Sequence, residues 1–252
     1  MKKFIPLKSP AQGLWRNRGR LGGACLGSLL AATMAHASGL PAYRRQKVAP
    51  PLGEILARMN DSAKRLKTVS ADIEYTNVTV VVNDKSTETG QFYFRKDKNT
   101  EILLHFQNPD PKVILYKKNK LEMYLPKSNQ VQEYNLEKQS GLVEQFLLLG
   151  FGTETGELKK LYEIKLNGEA VLEGDTTAIL ELTPRRESVS AQLVKVQLWV
   201  SEESWIPVQQ KFFKAGGDYL ITRYSDVKVN RKLPASTFQS PGPSDAKRVK
   251  MD

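Results

Sequence analysis

The chain has 252 residues, with 38 Lys or Arg against 27 Asp or Glu, a formal charge of +11, one cysteine and two histidines. So few His and Cys residues nearly exclude a transition-metal centre built from them, and a single cysteine excludes an internal disulfide. The positive charge gathers at the N-terminus and forms no basic stripe of the kind that binds nucleic acid.

Residues 1–20 carry Lys2, Lys3, Lys8, Arg16, Arg18 and Arg20 and no acid; an apolar, small-residue run follows from Leu21 to Met34, and then Ala35-His36-Ala37. A basic opening, a short apolar run and an A-x-A pattern are the three parts of a secretory signal peptide. Residues 1–37 are therefore expected to be removed on export to the periplasm. The run is shorter than the roughly 20 residues that a spanning helix needs. Its loss takes six basic residues and no acid, leaving 32 basic against 27 acidic, a net +5. That charge suits solubility and mild attraction to anionic surfaces. Cys25 leaves with the signal, so the rest must be held by a packed core.

Residues 38–51, with Pro41, Pro50 and Pro51 among Arg44, Arg45 and Lys47, are a flexible lead-in. Leu52, Ile55, Leu56, Met59, Ala63 and Leu66 then recur at helical spacing and predict an amphipathic helix over 52–67. The period next changes to two. Val69, Ala71, Ile73 and Tyr75 alternate with Ser70, Asp72, Glu74 and Thr76, a half-buried strand. A turn at Asn83-Asp84 leads to Gly90, Phe92 and Phe94 alternating with Gln91, Tyr93 and Arg95. Further short strands are predicted near 101–106, 112–117, 121–126 and 130–136, separated by turn-rich breaks such as Asn108-Pro109-Asp110-Pro111.

Residues 140–151 interrupt this series with a nearly all-apolar, glycine-bracketed stretch, and 157–162 predict a helical turn. Strands resume from Tyr162 to Asn167. Asn167-Gly168 is a hairpin signal into 169–174, followed by strands near 176–183, 189–200, 206–214 and 218–229. About eleven strands, one leading helix and one central apolar helix predict an antiparallel barrel or sandwich in a single domain over 52–241. Residues 242–252, around Lys247-Arg248-Val249-Lys250, are expected to be a loose basic tail.

Catalytic chemistry has little to stand on. His105 is the one histidine left after processing, and within Leu103-Leu104-His105-Phe106 it reads as a hydrogen-bonded structural residue. No glycine-rich phosphate loop precedes a helix. The chain is expected to be neither an enzyme nor the holder of a cofactor.

What the sequence does have is excess apolar surface. Gln91-Phe92-Tyr93-Phe94 and Leu121-Glu122-Met123-Tyr124-Leu125 place large side chains on both faces of a strand. One helix covers little of such a sheet, so the rest closes on itself or encloses something. Ile73, Tyr75, Phe92 and Phe94 are candidate cavity residues. Met123 and Leu125 extend that wall, or face outward if the register slips by one. Leu142, Val143, Phe146, Leu147, Leu149 and Phe151 cannot all face one small core; the stretch reads equally as a core helix or as a movable lid carried by Leu142, Phe146, Leu147 and Phe151. Acyl chains gain about 0.8 kcal/mol per buried methylene, so a cavity of this kind would hold them well.

The order of segments resembles the outer-membrane lipoprotein carrier (LolA-like) family from about residue 53 to 241. The matching pieces are the leading helix into Val69-Ser70, Tyr75-Thr76-Asn77, Gly90-Gln91-Phe92-Tyr93-Phe94-Arg95-Lys96, the Val113–Leu125 hairpin, and the closing run from Leu233 to Pro241 that holds Phe238. The resemblance implies an unclosed antiparallel barrel with helices over the opening and a cavity for the acyl chains of a lipoprotein. It also implies a monomer that shuttles between an inner-membrane release complex and an outer-membrane acceptor. Arg95 and Lys96 stand where that family latches its lid with an arginine; a lysine lacks the planar guanidinium fork. Other readings are a carrier of another lipid or glycolipid, a lipoprotein-sensing envelope regulator of the same fold, and an enzyme on a lipocalin-like scaffold.

Overall fold

The structure, a computed structural model, describes residues 50–137 and 149–251. The expected signal peptide and the candidate lid residues Leu142, Phe146 and Leu147 lie outside the described residues.

Helix α1 (Leu52–Arg65) buries Ile55, Leu56, Met59 and Ala63 along one stripe and leaves Arg58, Lys64 and Arg65 in water. Glu54 in its first turn and Lys64 and Arg65 in its last complement the helix dipole. Its C-terminal end is clamped by Asn230: the side-chain amide donates to the Arg65 carbonyl at 3.1 Å, and its Oδ1 accepts from the Lys67 N–H at 2.7 Å.

Twelve strands follow among the described residues. They are β1 (Thr68–Thr79), β2 (Asp84–Lys96), β3 (Thr100–Asn108), β4 (Lys112–Lys117), β5 (Lys120–Leu125) and β6 (Gln130–Asn135); then, after helix α2 (Thr155–Leu161), β7 (Tyr162–Leu172) and β8 (Asp175–Pro184); then, after the one-turn helix α3 (Glu187–Ser190), β9 (Leu193–Ser201), β10 (Pro207–Lys214), β11 (Tyr219–Val229) and β12 (Lys247–Met251). They form one sheet in the order β12-β6-β5-β4-β3-β2-β1-β11-β10-β9-β8-β7, which does not close on itself. Neighbours are antiparallel except β12, which runs parallel to β6. The architecture is thus the expected mainly-β, unclosed barrel with helices.

Period-two alternation sorts the side chains onto an inner and an outer face. Across the inner face, Val69 pairs with Phe94 and Phe94 with Ile102; Ala71 pairs with Phe92, Phe92 with Leu104 and Leu104 with Ile114. On the other side of β1, Ile73 faces Tyr224 and Tyr75 faces Thr222, and the row continues to Gln210, Leu198 and Leu180. Burying each such large side chain contributes about 1.5–3 kcal/mol. At Gly90, an added Cβ would lie 2.0 Å from the His105 carbonyl oxygen, so only glycine permits the close strand approach at the bulge beside it.

The inner core has two halves. One joins β1–β4 and β11 through Phe92, Phe94, Ile102, Phe106, Phe151 and Tyr224. The other seats α1 and α2 on β7–β10 through Ile55, Met59, Leu149, Leu158, Leu180 and Leu198.

Three expectations need correction. Asn167-Gly168 is no hairpin: β7 runs through it, with a register slip between Leu166 and Glu169, and the chain reverses at Glu173-Gly174, where both residues have positive φ. A two-residue turn of that handedness fits the strand twist, whereas the 167–168 pair makes a bulge. The strand predicted from 189 begins at Leu193, because Glu187–Ser190 coils into α3. The tail is not loose. Phe238, just before it, is buried against the outer face; within it, Gly242 lies against the Tyr124 ring and Arg248 bonds Glu133 at 2.8 Å as β12 pairs with β6. The outer face carries Leu115 and Val131, which are buried, and this segment covers their side of the sheet and the β6 edge, where an unpaired strand would be a liability.

Candidate functional site

Where the two halves of the core meet, the inner face leaves a cavity of about 250 Å³. Ile73 and Tyr75 of β1, Phe92 of β2, Leu104 of β3, Phe212 of β10, and Leu220 and Tyr224 of β11 line it, with Gln210 and Thr222 as further polar groups. The Gln210 amide is already used: it donates to the Leu149 carbonyl at 2.7 Å. Burial, and then the charge of Glu88, push the Tyr75 hydroxyl above its usual range. Burial alone pushes the Tyr224 hydroxyl up. Both shifts mark a medium that disfavours charge.

Phe151 packs against two of the lining residues, Phe92 and Tyr224. Its ring centroid is 5.0 Å from that of Tyr224, 5.2 Å from Phe92 and 6.5 Å from Phe94. Aromatic pairs at such separations attract beyond their area burial. The segment carrying this ring stitches the halves together, since Leu149 packs in one and Phe151 in the other. Gly150 and Gly152 let it run close: both have positive φ, and an added Cβ at Gly150 would meet Pro207 at 2.4 Å. Its exit is held by Lys96, whose Nζ donates to the Gly152 carbonyl oxygen at 2.8 Å.

Several candidate residues therefore fall together. Ile73, Tyr75 and Phe92 line the cavity directly, Phe94 lies behind Phe92 against the Phe151 ring, and Lys96 reaches the Phe151 segment. Arg95 does not. Adjacent strand residues face opposite ways, and Arg95 lies on the outer face, paired with Glu101 and stacked over the Phe238 ring at 4.4 Å. Met123 and Leu125 take the inner-face register, with Met123 opposite Ile114, but sit half-buried outside the cavity lining. His105, expected to be a structural histidine, is exposed.

Sequence reading missed Leu104, Gln210, Phe212, Leu220, Thr222 and Tyr224. The alternation of Leu220, Thr222 and Tyr224 was a signal for an inner face; the pairing of β11 with β1 had no local sign. A larger cleft of about 400 Å³ also reaches Tyr224, and its lining mixes Leu172, Val208, Val227 and Val229 with Glu173, Asp175, Glu203, Arg223 and Asp226. Its carboxylates would be costly to desolvate against an apolar ligand, so the smaller cavity is the better apolar site.

A family model described as "-like: Uncharacterized protein" matches residues 95–232, more than half of the chain. No curated protein matches in sequence. Among solved structures, an uncharacterized conserved protein from Thermus thermophilus is 13% identical, covering 79% of this chain and 98% of that one, with a TM-score of 0.52. MucB, whose Pseudomonas aeruginosa complex with MucA is also solved, is 12% identical with a TM-score of 0.50, and this chain spans 62% of its length. A LolA superfamily protein from Nitrosomonas europaea is 17% identical over 76% of this chain and 98% of that one, with a TM-score of 0.36. The unclosed barrel shares its fold with the Thermus thermophilus protein and with MucB, and the chain belongs to the family whose model spans residues 95–232.

Proposed function

We propose that the chain is a periplasmic carrier that takes acyl chains of a lipoprotein or related lipid into the cavity beside Phe151. The observation that supports this most is that cavity, walled mainly by apolar side chains at the seam of the two core halves. At about 250 Å³ it is smaller than the roughly 300–1,000 Å³ usual for ligand pockets. A long acyl chain therefore enters only if the site widens, and withdrawal of Phe151 would widen it. In this reading Leu142, Phe146, Leu147 and Phe151 are the lid, Lys96 is its latch, and Ile73, Tyr75, Phe92 and Phe94 form the wall. Met123 and Leu125 extend the apolar inner face towards the β6 edge. No catalytic group takes part; burial of methylenes drives binding. Delivery from an inner-membrane release complex to an outer-membrane acceptor completes the role.

The likeness of fold to MucB favours one other reading, a sensor that grips a partner protein. Mass spectrometry of the chain purified without detergent separates the two. Carriage gives co-purifying acylated molecules that are lost in a Leu220→Trp variant, which fills the cavity. A chain that carries no apolar molecule under any loading condition contradicts the proposal.

A further inference from the structure

The turn between β1 and β2 is Val80-Val81-Val82-Asn83, and its three valines are 50%, 86% and 69% exposed. Three consecutive exposed apolar residues are a fault in a soluble surface unless they have a use. They are not there to hold the turn. Its backbone is fixed by the Asn83 N–H to the Val80 carbonyl at 3.1 Å, and by Asp218 Oδ1, which accepts from the Val80 N–H at 2.8 Å. The second bond sets the β10–β11 turn beside the first.

Just behind the tip, the outer face carries a row across five strands: Lys85, Val78, Tyr219, Phe213 and Lys195 are successive register partners. Lys211 lies over both rings, its Nζ 3.9 Å from the Tyr219 centroid and 4.6 Å from that of Phe213. Lys195 is paired with Glu181, and Lys214 bonds the Asn77 side chain at 2.9 Å. Among the described residues, Lys85, Lys211 and Lys214 have no carboxylate partner. Asp84 and Asp218 are the acids of the two turns, and Asp218 is occupied by the Val80 N–H.

An exposed apolar tip, a Phe and a Tyr behind it, and lysines without carboxylate partners at one level match the layers of a bilayer surface: acyl edge, headgroup zone and anionic phosphate. We infer that the Val80–Val82 turn inserts into the surface of an anionic lipid bilayer, with Lys85, Lys211 and Lys214 on its headgroups. The cavity lies on the tip side of Phe151, since Tyr75 and Leu220 lie nearer the two turns along their strands than Phe92 and Phe94 do. Insertion would bring that end of the barrel to the lipid. The inference goes beyond the carrier reading, because it concerns the outer surface and needs no ligand in the cavity.

The test is flotation of the full chain with vesicles of phosphatidylcholine alone and of phosphatidylcholine with phosphatidylglycerol. The expected result is binding to the anionic vesicles that weakens with salt, falls roughly fivefold for each of Lys85→Gln and Lys211→Gln, and is lost in Val81→Asp. Val171→Asp, at a valine 68% exposed on β7, is expected to bind as the parent chain does. Absence of binding by the parent chain overturns the inference, as does equal binding by Val81→Asp. So does a finding that the valines instead join two copies of the chain, seen as a loss of dimer in Val81→Asp with no lipid bound by either. Leu220→Trp, which reads the cavity, is expected to leave flotation intact, so failure of the carrier reading and failure of this one are separable.

Discussion

The Nζ of Lys96 and the carbonyl oxygen of Gly152 lie 2.8 Å apart, and this bond ties the end of β2 to the segment that carries Phe151. The donor is charged and the acceptor is a backbone carbonyl, so the tie is directional but can break without unpairing a carboxylate. It is a single contact from a flexible stem, where an arginine could donate through a fork.

Removing the Lys96 donor tests the proposed latch. Lys96→Met keeps the apolar stem against Phe94 and Gly152 but loses the donor. It is expected to cost about 0.5–1.5 kcal/mol of unfolding free energy and to raise the rate at which an acyl probe enters. Stopped-flow fluorescence reads the rate and urea denaturation the stability. An unchanged rate would mean that the bond is structural only.

Phe151→Ala tests the proposed lid. A buried Phe cut to Ala costs about 3–5 kcal/mol, and the void adds to the existing cavity. The variant is expected to melt earlier, yet to bind bulky apolar probes that the parent chain excludes. Phe151→Leu keeps more of the packing and guards against simple unfolding. Calorimetry with a graded series of ligands gives both numbers; failure of both variants to bind the bulky probes would show that Phe151 belongs to the wall and not to a lid.

Acid is expected to loosen the outer face through Glu101. Burial raises its pKa, but hydrogen bonds from Lys117 and Arg95 outweigh that and hold the carboxyl below its usual range. A group with a depressed folded pKa stabilises the fold fully above its unfolded value, near 4.3, and the benefit is lost as pH falls through the folded value. Stability should therefore hold from neutral pH to about 5 and decline below. Glu101→Gln is expected to lose about 1–3 kcal/mol at neutral pH and to flatten that decline. Melting temperatures of both chains across the acid range make the comparison.

Ending the chain at Gly242 strips β12 from β6. The exposed edge offers unpaired N–H and C=O groups to other chains. Concentration-dependent self-association and a lower melting temperature are expected in size-exclusion and thermal measurements. A truncated chain as stable and as dispersed as the full one would reduce β12 to an ornament of the edge.

The parts of this molecule written in local periodicity were readable from its sequence. The stripe of Ile55, Leu56 and Met59 declared α1, and the alternation of Ala71, Ile73 and Tyr75 declared β1 and its inner face. Phe92 and Phe94 followed by the same rule. What went unread depends on partners distant in the chain. Tyr224 and Leu220 reach the cavity because β11 pairs with β1, about 150 residues earlier, and no local pattern encodes that pairing. Arg95 and Lys96 are neighbours in sequence, yet only one can face inward, and which one depends on the register of β2. The tail misled through composition: Lys247, Arg248 and Lys250 suit a solvated segment, but an edge strand tolerates and even favours such charges. Asn167-Gly168 carried the right chemistry for a turn, which the strand absorbed as a bulge.

The claim that the inner face receives an acyl chain is tested most directly by titrating the purified full chain with a fluorescent fatty acid and displacing it with an unlabelled one. Saturable binding at micromolar concentration, competed by the unlabelled acid and abolished by Leu220→Trp in a chain that melts normally, is the expected result. No saturable binding by the parent chain, or undiminished binding once the cavity is filled, would contradict the account.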